Sequence, residues 1–175
     1  VPGFCTPEVS DTVMAMVLSW ARRLPALDAL VRAGEWLSTD IMRPTARIST
    51  QTLGLVGFGN IARAVVKKAQ SFGLRVIATA PRTTAATMAQ YGVGKVPFEQ
   101  VAAESDYLVL LCPLNDQTRN IISAEVLGSM KVRALLVNVS RGGLVDEAAL
   151  IAALDAGQIA GAALDVFAQE PLPAD

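Results

Sequence analysis

Leu53-Gly54-Leu55-Val56-Gly57-Phe58-Gly59-Asn60-Ile61-Ala62 joins a short apolar run to a tight glycine turn. The run reads as a buried strand near Leu53–Gly57, and Asn60 to Phe72, stopped by Gly73, reads as the helix behind it. Gly57 permits the sharp turn out of the strand, Gly59 lets backbone approach a ligand with no Cβ in the way, and Ala62 keeps helix and strand close. The helix start then aims free N–H groups and the positive end of its dipole at an anion. Strand, glycine turn and helix in this order suit the pyrophosphate of a dinucleotide, although a glycine turn alone also occurs where nothing binds.

The chain has 175 residues, enough for one domain with its own core. It is 52% hydrophobic and only 18% charged, which points to apolar surface meant for another domain or subunit. With a net charge of −1 it offers no basic field for nucleic acid, and Arg63, Lys67 and Lys68 read as the solvated face of a helix. Its two cysteines, Cys5 and Cys112, lack metal-ligand spacing, so no metal site is expected and a reducing cytoplasm fits. The apolar stretch Val13 to Leu18 is too short to cross a bilayer. No histidine occurs, so a mechanism that needs an imidazole cannot run on these residues alone.

Thr6-Pro7-Glu8 reads as a helix start, with a hydroxyl N-cap and proline at the first position, and the helix is expected to run to about Leu24. Val9, Val13, Met16, Val17, Trp20 and Leu24 make one apolar face, and Met14 and Leu18 a second, so burial on two sides is expected. Helical turns follow Pro25 through Leu30, and Ser38 to Ser49 reads as loop. Beyond Ala62 the chain alternates strands near Arg75–Thr79, Gly94–Val96, Tyr107–Leu111, Ala134–Val139 and Ile159–Ala163 with helices near Ala85–Tyr91, Phe98–Ala103, Ala124–Ser129 and Glu147–Ala156. This pattern predicts an α/β fold, a Rossmann-type doubly wound parallel sheet with helices on both faces. Ligands on such sheets sit at the carboxyl ends of the strands.

After the second strand, Ala80 stands where a chain that binds NAD usually offers a carboxylate to the ribose. Arg82, Thr83 and Thr84 follow, and a guanidinium with hydroxyls pairs well with a 2′-phosphate, which favours NADP; otherwise Arg82 points into solvent. After the fourth strand, Pro113 turns the backbone across the cleft, and Cys112 reads as a packing residue without a histidine to activate it. After the fifth, Val139-Ser140-Arg141-Gly142-Gly143 places an arginine at a strand mouth, suited to a small carboxylate or else a plain surface residue. After the last strand, Asp165 can accept from an amide and Glu170 can orient a basic group, or both are solvated loop charges.

In this order, Gly57-x-Gly59-x-x-Ala62, Cys112-Pro113-Leu114 with Thr118, Val139-Ser140-Arg141-Gly142-Gly143 with Asp146-Glu147, and Leu164-Asp165-Val166-Phe167 with Glu170-Pro171-Leu172 closely resemble the D-isomer-specific 2-hydroxyacid dehydrogenases. The resemblance covers essentially the whole chain. It implies a cofactor domain over residues 1–175, inserted in life into a substrate domain absent from this chain, that serves hydride transfer between NAD(P) and a small 2-hydroxy or 2-oxo acid. Arg141 resembles the arginine that binds substrate carboxylate and carbonyl, Glu170 the glutamate that pairs with a catalytic histidine, and Asp165 the residue that holds the nicotinamide carboxamide. The implied cofactor site also takes in Gly57, Phe58, Gly59, Asn60, Ile61, Ala80, Arg82, Thr83, Cys112, Pro113, Thr118, Val139 and Ser140. The opening helix, about residues 6–24, resembles a hinge helix between domains that contributes to a homodimer. Two features depart from the family pattern: the chain stops at Asp175, before the histidine, and Ala80 replaces the usual acid. A nicotinamide-sensing corepressor or scaffold is the alternative from another class, and a methyltransferase that uses the glycine turn leaves Arg141, Asp165 and Glu170 unexplained.

Overall fold

The computed structural model describes residues 4–36 and 46–172. Within them, Thr52–Val56 (β1), Arg75–Thr79 (β2), Gly94–Lys95 (β3), Tyr107–Leu110 (β4), Leu135–Asn138 (β5) and Gly161–Leu164 (β6) form one sheet in the order β3-β2-β1-β4-β5-β6. Every neighbouring pair is parallel. The helices are Thr6–Ala21 (α1), Leu24–Arg32 (α2), Asn60–Ser71 (α3), Ala85–Ala89 (α4), Phe98–Glu104 (α5), Ala124–Ser129 (α6) and Glu147–Asp155 (α7).

Period-two alternation sorts the strand side chains onto two faces. Leu53, Leu55, Tyr107, Val109, Leu135 and Val137 pack with Val13, Met14 and Val17 of α1 and with Val65, Val66 and Ala69 of α3. Leu108, Leu110 and Leu136 face the other way, onto Val101 of α5, Leu127 of α6, and Leu150 and Ala153 of α7. With both faces covered the strands can be apolar throughout, which is the doubly wound α/β architecture that the alternation predicts.

Several element boundaries differ from expectation by a residue or a few, three of them with a local physical cause. α1 ends at Ala21 rather than Leu24, because Arg23 takes a left-handed conformation (φ 54°) and Leu24-Pro25 then opens a new helix. Thr6 is a helical residue and not the N-cap: the Val9 N–H donates to the Cys5 carbonyl at 3.0 Å, so the helix begins one residue earlier with no side-chain cap. β6 starts at Gly161, where a Cβ would collide with the Trp20 ring, while Ile159 is buried against the α7 face. Of the expected loop from Ser38 to Ser49, residues 38–45 lie outside the described residues, and Ile48–Thr50 forms a 3-10 turn.

At the amino ends of the strands, Asp106 is 3% exposed and ties three elements together. Its carboxylate accepts from the Thr52 N–H at 2.9 Å, Lys131 Nζ at 3.0 Å and Arg133 Nε at 3.3 Å. Next to it, the buried Tyr107 hydroxyl donates to Gln51 Oε1 at 2.6 Å. Burial pushes this phenol up to about 12, the Asp106 charge adds to the rise, and the Gln51 hydrogen bond opposes it. The unfolded chain ionises its tyrosines near about 10, so the folded state holds this proton more tightly. The stability that Tyr107 contributes is therefore complete below about pH 10 and falls as pH rises toward 12. Chemical denaturation at about pH 9 and about pH 11 should show a steeper loss of stability for the native chain than for Tyr107→Phe; equal losses would mean the phenol is not held neutral.

Candidate functional site

The carboxyl ends of β2, β1, β4, β5 and β6 lie side by side along one edge of the sheet. Winding reverses between β1 and β4, and this is where a doubly wound sheet leaves a crevice. Gly57 sits at the point of reversal with φ +109°. A Cβ there would lie 2.7 Å from the Leu111 carbonyl and 2.9 Å from the Cys112 nitrogen, so only glycine lets the turn close against the backbone after β4. The Gly57 N–H donates to the Thr79 carbonyl at 2.8 Å, and the Leu111 N–H donates to Val56 at 2.8 Å, which carries the sheet one step past its strands.

Gly59 differs in kind, because nothing lies within 4 Å of where its Cβ would be. It caps α3 with extended backbone and no side-chain hydrogen bond. The first N–H to find a partner in this helix is that of Arg63, bonded to the Gly59 carbonyl at 3.1 Å. Asn60 and Ile61 therefore present free N–H groups beside open space, as an anion requires, while Ala62 is buried against the strands.

Phe58 does not face the crevice. Its ring is 5% exposed and meets Tyr91 edge-on at 5.7 Å. Arg63 lies over both rings, at 5.9 Å from Phe58 and 5.5 Å from Tyr91. The reading of Arg63, Lys67 and Lys68 as one solvated face is thus corrected. Lys68 Nζ donates to Asp11 at 2.6 Å and Ser10 at 2.6 Å, which docks α3 on α1, and of the three Lys67 alone is exposed. A helical pattern displays a face but not the neighbours brought to it by a distant segment.

After β2, Ala80 is buried, and Arg82 is exposed with no hydrogen bond or ion pair among the described residues. Thr83 is half-buried, and its carbonyl accepts from Lys95 Nζ at 2.7 Å. After β4, Cys112 is buried and burial pushes its thiol up, which suits packing and not nucleophilic attack. Pro113 is exposed, and the Thr118 hydroxyl donates to its carbonyl at 2.7 Å while accepting from the Asn115 N–H at 2.8 Å, so Thr118 closes this loop on itself.

Asn138, which the sequence reading leaves out, organises the end of β5. It is 1% exposed; its Nδ2 donates to the Arg141 carbonyl at 2.9 Å, and its Oδ1 accepts from the Ser140 N–H at 3.1 Å. The available signal is a lone amide closing the apolar run Leu135-Leu136-Val137, since a buried amide must find partners. Ser140 Oγ then donates to the Cys112 carbonyl at 2.7 Å, fastening the ends of β4 and β5 together. Val139, at 9% exposure, joins the core face that packs on α1 and α3.

Ser140, Arg141, Gly142, Val166, Phe167 and Glu170 line a cleft of about 300 Å³. Gly142 makes it possible, because a Cβ there would strike the Phe167 carbonyl. Arg141 Nη1 donates to the Ser140 carbonyl at 2.6 Å, and Glu170 Oε1 accepts from the Phe167 N–H at 2.8 Å. Glu147 accepts from the Ala168 N–H at 2.7 Å and holds the far wall. Arg141 and Glu170 thus share one cleft, whereas the exposed Asp165, whose N–H donates to Asn138 at 2.9 Å, stands outside its lining. A guanidinium beside a carboxylate can bind a small anion and hold a neighbouring base in its charged form. Among the described residues no cluster of three or more histidine, cysteine, aspartate or glutamate side chains could hold a metal ion, and no helix is long and apolar enough to cross a membrane.

A crevice at the reversal point, free N–H groups at α3 and an arginine–glutamate cleft at β5 and β6 define a nucleotide-dependent class of α/β domain. The chain belongs to the D-isomer specific 2-hydroxyacid dehydrogenases, matching their NAD binding domain over residues 14–175. It is 40% identical to a glyoxylate reductase of Thermococcus litoralis, over 97% of this chain and 53% of that protein. It is also 40% identical to a glyoxylate/hydroxypyruvate reductase B of Yersinia enterocolitica, over 99% of this chain and 54% of that protein. The crystal structure of a Lactobacillus jensenii D-lactate dehydrogenase with NAD+ superposes with a TM-score of 0.89 at 30% identity, covering 100% of this chain and 53% of the other. The chain spans about half the length of these relatives.

Gly57→Ala combines an unfavourable φ with backbone collisions on two sides, so it should destabilise the fold by about 3 kcal/mol or more, measured by denaturant unfolding. Gly59→Ala, with open space at its Cβ, should cost less than about 1 kcal/mol. Similar losses for the two would remove the distinction between a packing glycine and an access glycine.

Proposed function

We propose that this chain is the cofactor domain of an NAD(P)-dependent oxidoreductase that acts on a small 2-hydroxy or 2-oxo acid. The observation that carries the reading is the pairing of two sites on one sheet edge: free N–H groups and open space at Gly59, and Arg141 with Glu170 in the cleft two strands away. The residues fit a dinucleotide. Asn60 and Ile61 would receive the pyrophosphate, Arg82 and Thr83 the adenosine ribose, and Pro113, Val139 and Asp165 the nicotinamide end. When bound, the nicotinamide supplies the hydride acceptor or donor.

The remaining chemistry falls to this chain's side chains. Arg141 binds the acid's carboxylate and polarises its carbonyl, held in place by the Ser140 carbonyl at 2.6 Å. Glu170, fixed by the Phe167 N–H, holds a histidine contributed from outside these residues in its protonated form. The buried thiol of Cys112 packs in the core beneath this edge and does not react. Glyoxylate and hydroxypyruvate, the acids in the names of the two reductases, are the first substrates to try on the longer enzyme.

NADP is favoured over NAD, since Ala80 offers no carboxylate to repel a 2′-phosphate and Arg82 has no internal partner. A substrate domain flanks this one in the longer protein. A homodimer is supported by α2, which buries no residue and leaves Leu24, Val31 and the nearby Trp36 54%, 61% and 82% exposed. The exposed free thiol of Cys5 suits a reducing cytoplasm.

Calorimetric titration with NADPH and NADH tests the reading directly. NADPH should bind more tightly, and Arg82→Ala should remove most of the advantage; equal binding would discard the NADP preference, and no binding would remove the reading. Without a histidine, which as acid or base is worth about 10²–10⁴ in rate, these 175 residues alone should not consume NADPH with glyoxylate or hydroxypyruvate. Substrate-dependent loss of the reduced nicotinamide absorbance would contradict this.

A further inference from the structure

Arg63 is more confined than a helix-surface arginine has reason to be. Its guanidinium stands over the Phe58 and Tyr91 rings at 5.9 Å and 5.5 Å, and its Nε is shut off from solvent with no hydrogen-bond acceptor. The rings that hold it are themselves fixed. Phe58 is clasped inside the glycine turn, and the Tyr91 carbonyl accepts from Gln70 of α3 at 2.8 Å. A cation between two aromatic rings is stabilised there, but ring faces do not satisfy a guanidinium N–H as an oxygen does.

Direction follows from the helix. Arg63 is in the first turns of α3, where side chains lean toward the amino end, and its guanidinium accordingly lies back beside Phe58 in the turn. Tyr91 lies between α4 and β3, the strand that pairs with β2, so the guanidinium sits on the β2–β3 flank of the glycine turn, the flank on which the loop after β2 carries Arg82 and Thr83. Lys95 adds a second cation by holding the Thr83 carbonyl at 2.7 Å.

The surrounding sequence contains nothing to neutralise them. From Ile41 to Phe98, 58 consecutive residues include no aspartate or glutamate but 8 arginines and lysines. Arg63 makes no ion pair among the described residues. Arg63 is half-buried, and its one shut-off N–H is a cost that an anion arriving from outside can offset at the rest of the guanidinium.

Resting on the dinucleotide reading above, the geometry points to Arg63 as a fixed cation that receives the 2′-phosphate of NADP, with Arg82 the mobile one. Two arginines of different mobility divide the task. Arg63 is pre-organised and loses little freedom on binding, whereas Arg82 closes from solvent.

The test uses Arg63→Met, which keeps an unbranched stem between the rings, and Arg63→Lys, which keeps the charge and loses the planar fork. Each is titrated with NADPH, NADH and adenosine 2′,5′-bisphosphate, beside a thermal melt. For Arg63→Met, affinity for NADPH and for the bisphosphate should fall about 10- to 100-fold while NADH changes less than about 3-fold. Arg63→Lys should fall between, and it carries the comparison by itself if the methionine variant melts early. Parallel losses for NADPH and NADH would reassign Arg63 to support of the turn and overturn the inference, as would unchanged binding of all three probes. Native chain that binds NADH at least as tightly as NADPH would overturn the inference and leave the dinucleotide reading standing; native chain that binds neither would overturn both.

Discussion

There is no room for a carbon atom on Gly57. Its Cα lies against the backbone of Leu111 and Cys112, closely enough that a Cβ would sit 2.7 Å from a carbonyl. That approach welds the turn after β1 to the turn after β4, the two strands between which the winding reverses. Everything at the carboxyl edge is referenced to this weld. α3 starts where the turn releases it, the Cys112 carbonyl is positioned to accept from Ser140, and Ser140 in turn sets the start of the Arg141 loop. The crevice is therefore defined by backbone packing, and its side chains are hung on an edge that is already rigid.

Opposite ends of the sheet treat charge differently. At the amino ends Asp106 is buried and takes three donors from the chain itself, an arrangement that is costly to open. At the carboxyl ends the charged groups are exposed and hold only backbone partners: Arg141 a carbonyl, Glu170 an N–H. One end is finished as structure. The other keeps spare hydrogen-bonding capacity where the fold places ligands.

Much of this was legible in the sequence. Strand and helix order follow from apolar runs and their punctuation, because local periodicity reports which faces are buried. The strand-end residues follow from that order, since topology puts all of them on one edge. What local pattern cannot report is a contact between distant segments. Arg63 reads as solvated because its own helix face is polar, and only the fold brings the Tyr91 ring to it. Asn138 hides for the opposite reason, as one amide in an apolar strand whose partners lie in the loop it shapes. The break at Arg23 escapes notice because an arginine is an unusual residue for a left-handed turn.

The two halves of the edge also differ in how complete they are. On the β1–β2 side these residues hold open backbone, free N–H groups and a guanidinium against aromatic rings, the groups that the proposed dinucleotide site would use. On the β5–β6 side Arg141 and Glu170 face a cleft that solvent enters freely, where screening keeps any charge interaction weak. A guanidinium grips a carboxylate strongly only once water is excluded, and a carboxylate raises a neighbouring imidazole's proton affinity most effectively in a low dielectric. Both conditions need a second surface closed over the cleft. On the proposed reading the division of labour follows from electrostatics: recognition of a polyanion would tolerate solvent and fit within one domain, whereas chemistry on a small acid would wait until that acid is enclosed.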